Sequence, residues 1–231
     1  MNKSRPILFS GPMVRALLAG TKTQTRRVVK CKHLDFVAGC EADRNDPCNY
    51  GYERDDGWVK LKASSAPRDD EIQVPCPYGQ PGDQLWVRET IRLEDRIGLW
   101  ARSLYVADGR PTVADAWPWK NNVLPSIHCP KGLSRIALEI INVRAERLND
   151  ISEEDAKEEG LSAITKDGSL FKYGIPDRDG LPGTDDDGWP WQQWECDPRN
   201  AYRALWESIN GPGSWNVNPF VWVIEFKQVA P

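Results

Sequence analysis

The segment at residues 219–226, reading Pro, Phe, Val, Trp, Val, Ile, Glu, Phe, constrains this chain more than any other. It is apolar on both of the faces that alternate along an extended chain, so it belongs inside a sheet as a central strand. It is also far shorter than the roughly 18 apolar residues a membrane span needs. The remaining segments must supply its neighbours.

Residues 5–9 read as a short strand running into Ser10, Gly11 and Pro12, which suit the start of a helix. Met13, Ala16 and Leu17 then share one helical face, Val14 and Leu18 widen it, and Gly20 stands where a left-handed residue would end it. Residues 22–29 favour an extended segment. Pro81, Gly82 and Asp83 signal a turn before a half-buried strand carrying Leu85, Val87 and Ile91. Residues 105–109 read as a strand ending in a turn, residues 117–131 as loop, and residues 134–148 as a long strand. Ser152 and Asp155 open a short acidic helix that Gly160 closes. Asp197 and Pro198 begin a last helix whose Tyr202, Leu205, Trp206 and Ile209 fall on one face before Gly211.

These elements lack the regular strand–helix alternation of a doubly wound sheet. The order predicts an α+β fold: a small, mostly antiparallel β-barrel with flanking short helices. Two irregular insertions interrupt it, at about residues 32–75 and 165–195, the second read as a mobile loop. At 231 residues, with 40% hydrophobic and 28% charged residues, the chain is expected to form one globular domain, 1–231. With neither an apolar span nor a signal-peptide core, a cytoplasmic protein is expected.

The net charge of −4 argues against a surface coated for long nucleic-acid tracts, yet Lys22, Arg26, Arg27, Lys30 and Lys32 concentrate positive charge locally. Cys31, His33, Cys40, Cys48 and Cys76 contain no Cys-x-x-Cys pair and have irregular gaps, so buried free thiols are expected rather than zinc. The aspartates at 177–187 lack the spacing and terminal glutamate of a calcium loop. No metal and no cofactor is expected.

Residues 20–27, Gly-Thr-Lys-Thr-Gln-Thr-Arg-Arg, are too polar to pack and would line a polar cleft or a solvated edge. Their Gly-x-Lys-x-x-x-x-Arg pattern resembles the signature of the ASCH (activating-signal-cointegrator homology) family, whose barrel is PUA-like. The preceding helix ending in Leu-x-Gly, the Pro-Gly-Asp turn, the Glu-Glu-Gly at 158–160 and the closing strand come in the family's order. The chain is most similar to the longer ASCH proteins of bacteriophages and prophages, over most of its length outside residues 32–75 and 165–195.

That resemblance implies a nucleoside- or nucleotide-directed amidohydrolase, since one branch of the family removes the acetyl group of N4-acetylcytidine. It implies catalytic roles for Lys22, Thr25 and Glu159: a threonine nucleophile, a lysine base whose pKa burial and Arg26 or Arg27 would lower, and a glutamate proton donor. Glu159 at the last turn of its helix opposes the helix dipole, which fits a role other than helix stability. Arg26, Arg27 and Glu89 are the expected substrate-binding residues. A non-catalytic module holding RNA or a modified base is the alternative, and a ribonuclease a further one. The expected partner is a modified nucleoside or RNA, with no membrane and no obligate protein partner. Trp86, Trp206 and Trp222 are expected in the core; Trp189, Trp191 and Trp194 are expected to pack over the barrel mouth, with base stacking as the alternative. His128 is equally a structural hydrogen-bonder or a site residue.

Overall fold

A computed structural model describes residues 3–29, 50–55, 58–63, 72–97, 100–112 and 116–230, with side chains placed at 3–29, 75–96, 100–112 and 116–230. In chain order the elements are β1 (Ser4–Leu8), α1 (Gly11–Leu18), β2 (Gln24–Val28), β3 (Tyr50–Asp55), β4 (Trp58–Ala63), β5 (Ile72–Pro75), β6 (Gln84–Arg88), β7 (Ile91–Ile97) and β8 (Trp100–Tyr105). They continue with β9 (Val123–Leu124), β10 (Ala137–Arg147), α2 (Glu153–Glu158), β11 (Ser162–Thr165), β12 (Phe171–Gly174), α3 (Pro198–Asn210) and β13 (Phe220–Val229). Among the described residues, no helix is long and apolar enough to cross a membrane.

The fold is α+β. Its main sheet has five strands in the order β1-β6-β10-β13-β2, with β1 parallel to β6 and the other pairs antiparallel. β13 lies between β10 and β2, and Val221, Trp222, Val223 and Ile224 are all buried, as an apolar run on both faces requires. Ile7, Leu85, Val87, Leu138 and Ile140 join them in one core with Met13, Val14 and Leu17 of α1. Each such side chain contributes on the order of 1.5–3 kcal/mol by leaving water.

The expected barrel is not closed by backbone pairing: among the described residues, β1 and β2 remain the edges of the sheet. A side chain spans the gap instead, Arg27 Nη2 donating to the Leu8 carbonyl at 2.6 Å. The physical reason is geometric, because β2 pairs with β13 over five residues and then hands its edge to a guanidinium rather than to a ladder.

The turn at residues 81–83 is built as its residues demand. Gly82 takes φ +88°, and the Asp83 carboxylate accepts from Lys3 N at 2.8 Å and Arg5 Nη1 at 2.6 Å. The turn docks on β10 through Gly82 N to Ile140 O and Ile140 N to Asp83 O, each 2.9 Å. At that point the β10–β13 register shifts between Ile140 and Asn142, and Ile141 is thrown outward, 52% exposed.

Several expectations need correction. The first insertion holds an antiparallel three-stranded meander, β3-β4-β5, rather than irregular chain alone. Residues 105–109 are mainly turn, with strand β8 lying before them, because residues 106–108 must bend to return toward Arg110. Ile209 lies 58% exposed although it shares the helical period of buried Tyr202, Leu205 and Trp206, standing one residue before the end of α3. Within the second insertion, buried Asp177 accepts from the main-chain N–H groups of Asp185, Asp186 and Gly188, so the aspartate-rich stretch folds back on one carboxylate.

Candidate functional site

The polar stretch after α1 is fixed by backbone before any side chain acts. Gly20 at φ +76° ends the helix, Lys22 forms an isolated antiparallel bridge with Glu159, and Thr23 joins α2 to β13. Its N–H donates to Glu158 O at 3.0 Å and its carbonyl accepts from Phe226 N at 2.8 Å. Two residues 137 positions apart in sequence are thereby locked side by side.

Lys22 and Glu159 are both buried, 4% and 3% exposed. Lys22 Nζ donates to the Glu159 carbonyl at 2.6 Å and to Glu159 Oε2 at 2.9 Å, and lies 5.5 Å from the Phe9 ring centre. Burial pulls the Lys22 ammonium below the usual lysine value of 10.5, against Glu159, which raises it by charge and hydrogen bond; Arg27 and Arg26 lower it further.

The other Glu159 oxygen accepts from Arg26 Nη1 at 3.1 Å. Arg26 also donates through Nη2 to Glu146 Oε1 at 2.6 Å and to Asp155 Oδ2 at 2.9 Å. Arg144 meets the same group, donating through Nη2 to Asp155 Oδ2 at 2.9 Å and through Nη1 to Glu225. Gln24 Nε2 reaches Asp155 Oδ1 and Glu158 Oε2, both at 2.9 Å, while its Oε1 accepts from Arg26 Nη1 at 3.2 Å. Burial alone would lower the Arg26 pKa, yet Glu159, Tyr202 and Glu146 raise it, so this guanidinium stays charged. Lys22, Arg26 and Arg144 thus face Glu146, Asp155, Glu159 and Glu225, with Glu158 joined to them through Gln24.

Alternation along β2 puts Gln24 and Arg26 on one face and Thr25 and Arg27 on the other. Thr25 is buried, and its hydroxyl forms no hydrogen bond with another described residue. The structure therefore joins Lys22, Glu159 and Arg26, while the expected contact between Lys22 and the Thr25 hydroxyl is not formed, because the amine is committed to Glu159. Arg27 sits apart from the carboxylates, over Phe9 at 5.3 Å, and its Nε is buried without a partner.

Glu89 belongs to a different cluster. Arg135 grips it bidentately, Nε to Oε1 at 2.9 Å and Nη2 to Oε2 at 2.7 Å, grips Asp108 as well, and stacks on Tyr105 at 3.9 Å. Arg88, next to Glu89 in sequence, donates instead to the Ile127 carbonyl. This cluster borders a second small core of Ile91, Tyr105, Trp117, Leu124 and Cys129.

An open cleft of about 430 Å³ adjoins the pair, lined by Leu17, Lys22, Leu138, the bulged Ile141, Glu225 and Phe226 among others. Cys31, His33, Cys40 and Cys48 lie outside the described residues. Cys76 is buried, and burial pushes its thiol up to about 11, so it is protonated at neutral pH. Of the tryptophans, Trp222 and Trp206 are core as expected, whereas Trp86 is half-buried beneath Arg88. Trp194 is buried with its indole N–H on the Trp189 carbonyl, and His128 is exposed on a short 3-10 turn.

No family model matches the sequence, and searches of curated proteins and of solved structures find no match. The residues that sequence reasoning missed are Gln24, Arg144, Glu146, Asp155 and Glu225. One signal was available: Asn142, Arg144 and Glu146 alternate along β10 where an outer sheet face would otherwise be apolar or solvated.

Proposed function

We propose that the chain hydrolyses the acyl amide of a modified nucleoside of the N4-acetylcytidine type, with the Lys22–Glu159 pair at the reacting centre. The observation that carries this reading is a buried lysine with a lowered pKa, bonded to a buried glutamate at the wall of a cleft. A cleft of about 430 Å³ is within the usual range for a small-molecule site, roughly 300–1,000 Å³. The resemblance to the ASCH family and its PUA-like barrel supports the same reading, as does the Arg27 bridge that draws the two sheet edges together.

In this scheme a proton passes from the Lys22 ammonium to the Glu159 carboxylate, giving a neutral amine and a neutral acid, the two forms the reaction requires. The amine takes the proton of the Thr25 hydroxyl, whose oxygen attacks the amide carbon. Glu159 protonates the departing ring amine as the carbon–nitrogen bond breaks. Water then cleaves the threonine ester, releasing acetate. Arg26 remains charged throughout and holds Glu159 in place. Incubation with N4-acetylcytidine and chromatography of the products tests the reading: cytidine is expected from wild type and not from Lys22→Ala or Thr25→Ala. Full turnover by both variants would sink it.

A second reading is favoured by a specific observation. Both hydrogen bonds that the Lys22 ammonium makes to described residues go to Glu159, and the Thr25 hydroxyl is not bonded to it, which suits a module that holds a modified base or RNA without cutting it. It predicts saturable binding of the acetylated nucleoside by calorimetry with no cytidine released. The ribonuclease reading has no such support.

A further inference from the structure

The hairpin β11–β12 leaves the site directly, its first strand beginning three residues after Glu159. On it, Lys166 and Lys172 converge on one indole, with Nζ atoms 5.2 Å and 4.8 Å from the Trp191 ring centre. Lys172 pairs with Ile164 across the hairpin, so by alternation Lys166 stands on the same face. Two ammonium groups drawn to one ring repel each other, and such clusters are normally offset by a carboxylate. Among the described residues neither lysine forms an ion pair; Lys172 donates only to the Trp194 carbonyl, at 2.9 Å, and the nearby Asp167 carboxylate is occupied by Ser169 and Leu170 of its own turn. Leu170, 61% exposed, lies at the hairpin tip, while Phe171, 43% exposed, stands on the opposite face of the hairpin from Lys172.

Paired, carboxylate-free ammonium groups held in place by an aromatic ring match the chemistry of a phosphodiester strand. We propose that Lys166 and Lys172, gathered on Trp191, form a phosphate subsite that holds the backbone of a single-stranded nucleic acid beside the Lys22–Glu159 centre. The surface stands on its own contacts, and only the placement of the strand relative to chemistry rests on the function proposed above. The protein's acidic net charge of −4 makes such binding local and salt-sensitive rather than general.

Fluorescence anisotropy of a labelled short oligouridylate tests this with the full chain across a salt series. Wild type is expected to bind, and Lys166→Ala with Lys172→Ala is expected to weaken binding about tenfold or more. The slope of log affinity against log salt should shrink by about 0.7 for each phosphate that is no longer neutralised. Trp191→Leu, which keeps both lysines but removes their shared ring, should weaken binding severalfold, and circular dichroism shows whether each variant is folded. Unchanged affinity in the folded double-lysine variant overturns the proposal. So does displacement of the strand by cytidine monophosphate at equal concentration, which would make this a mononucleotide site. Because binding is read without turnover, failure here leaves the hydrolysis test untouched, and absence of hydrolysis leaves strand binding to be measured by itself.

Discussion

The Lys22 ammonium lies closer to the main-chain carbonyl of Glu159, at 2.6 Å, than to the carboxylate of the same residue, at 2.9 Å. The amine is therefore held by backbone as well as by side chain, and the Glu159 carboxylate opposes the burial that lowers its pKa. Glu159→Gln separates the two. It should keep Lys22 in place but leave Lys22 buried without its carboxylate, while Arg26 retains Glu146 and Asp155, at a cost of about 3–5 kcal/mol in urea unfolding. Hydrolysis of N4-acetylcytidine should fall at least a hundredfold, since an amide cannot carry the proton. A variant with wild-type stability would show that the carboxylate is not the main partner of Lys22.

Gly160 holds the pair together from behind. It takes φ +100°, and a Cβ there would meet Ala16 Cβ at 3.0 Å and Lys22 Cβ at 3.2 Å. Gly160→Ala should cost about 1–2 kcal/mol for the left-handed backbone, with more from the contacts. Because the displaced atoms belong to Lys22, turnover should drop further than stability alone explains. Thermal unfolding and turnover measured on one sample separate the two effects.

Arg135 neutralises both Glu89 and Asp108, and neither carboxylate has a second basic partner as close. Arg135→Met should leave them facing each other and destabilise the protein by about 3–5 kcal/mol at neutral pH. The deficit should shrink as pH falls and one of the two takes up a proton. A deficit that is flat from pH 7 to about pH 4 would remove charge as the cause.

Stability should fall on the acid side. Asp155 is buried enough for desolvation to push its pKa up, yet Gln24, Arg26 and Arg144 bring it below the ordinary 3.8. Asp108 and Asp83 are likewise lowered, against desolvation, by Arg135 and by the Lys3 N–H with Arg5. The unfolded chain binds these protons first, so the stability they give is present above about pH 4 and lost as pH drops through the lowered values. Lys22 has the same sign at the other end: between its lowered value and 10.5 the unfolded chain holds more protons, so stability rises with pH. Urea midpoints against pH should show both limbs, with Asp155→Asn flattening the acid limb and Lys22→Met the alkaline one.

Much of the frame could be read from residue order alone. The apolar run around Trp222 demanded a central strand, and β13 is one. Gly20, Ser152 and Asp197 marked helix ends by local chemistry: Gly20 is left-handed, Ser152 accepts from Asp155 N at 3.1 Å, and Asp197 accepts from Arg199 N at 2.7 Å. Such signals are legible because they act within one turn of chain. Ile209 was misread for the complementary reason, since period alone does not say where a neighbouring surface stops.

The sequence by itself determined that residues 20–27 are a polar segment held at a helix end, and that a strand like residues 220–226 must be covered on both faces. Only the tertiary structure decided which carboxylates that segment meets. Glu159 comes to Lys22 through a β-bridge, Glu146 comes to Arg26 through the register of β10, β13 and β2, and Asp155 reaches both Arg26 and Arg144 from α2. The tertiary structure also decided that Lys22 directs its hydrogen bonds to Glu159 rather than Thr25, and that Glu89 answers to Arg135. Charge pairing across a hundred residues depends on which strands become neighbours, and no local pattern encodes that.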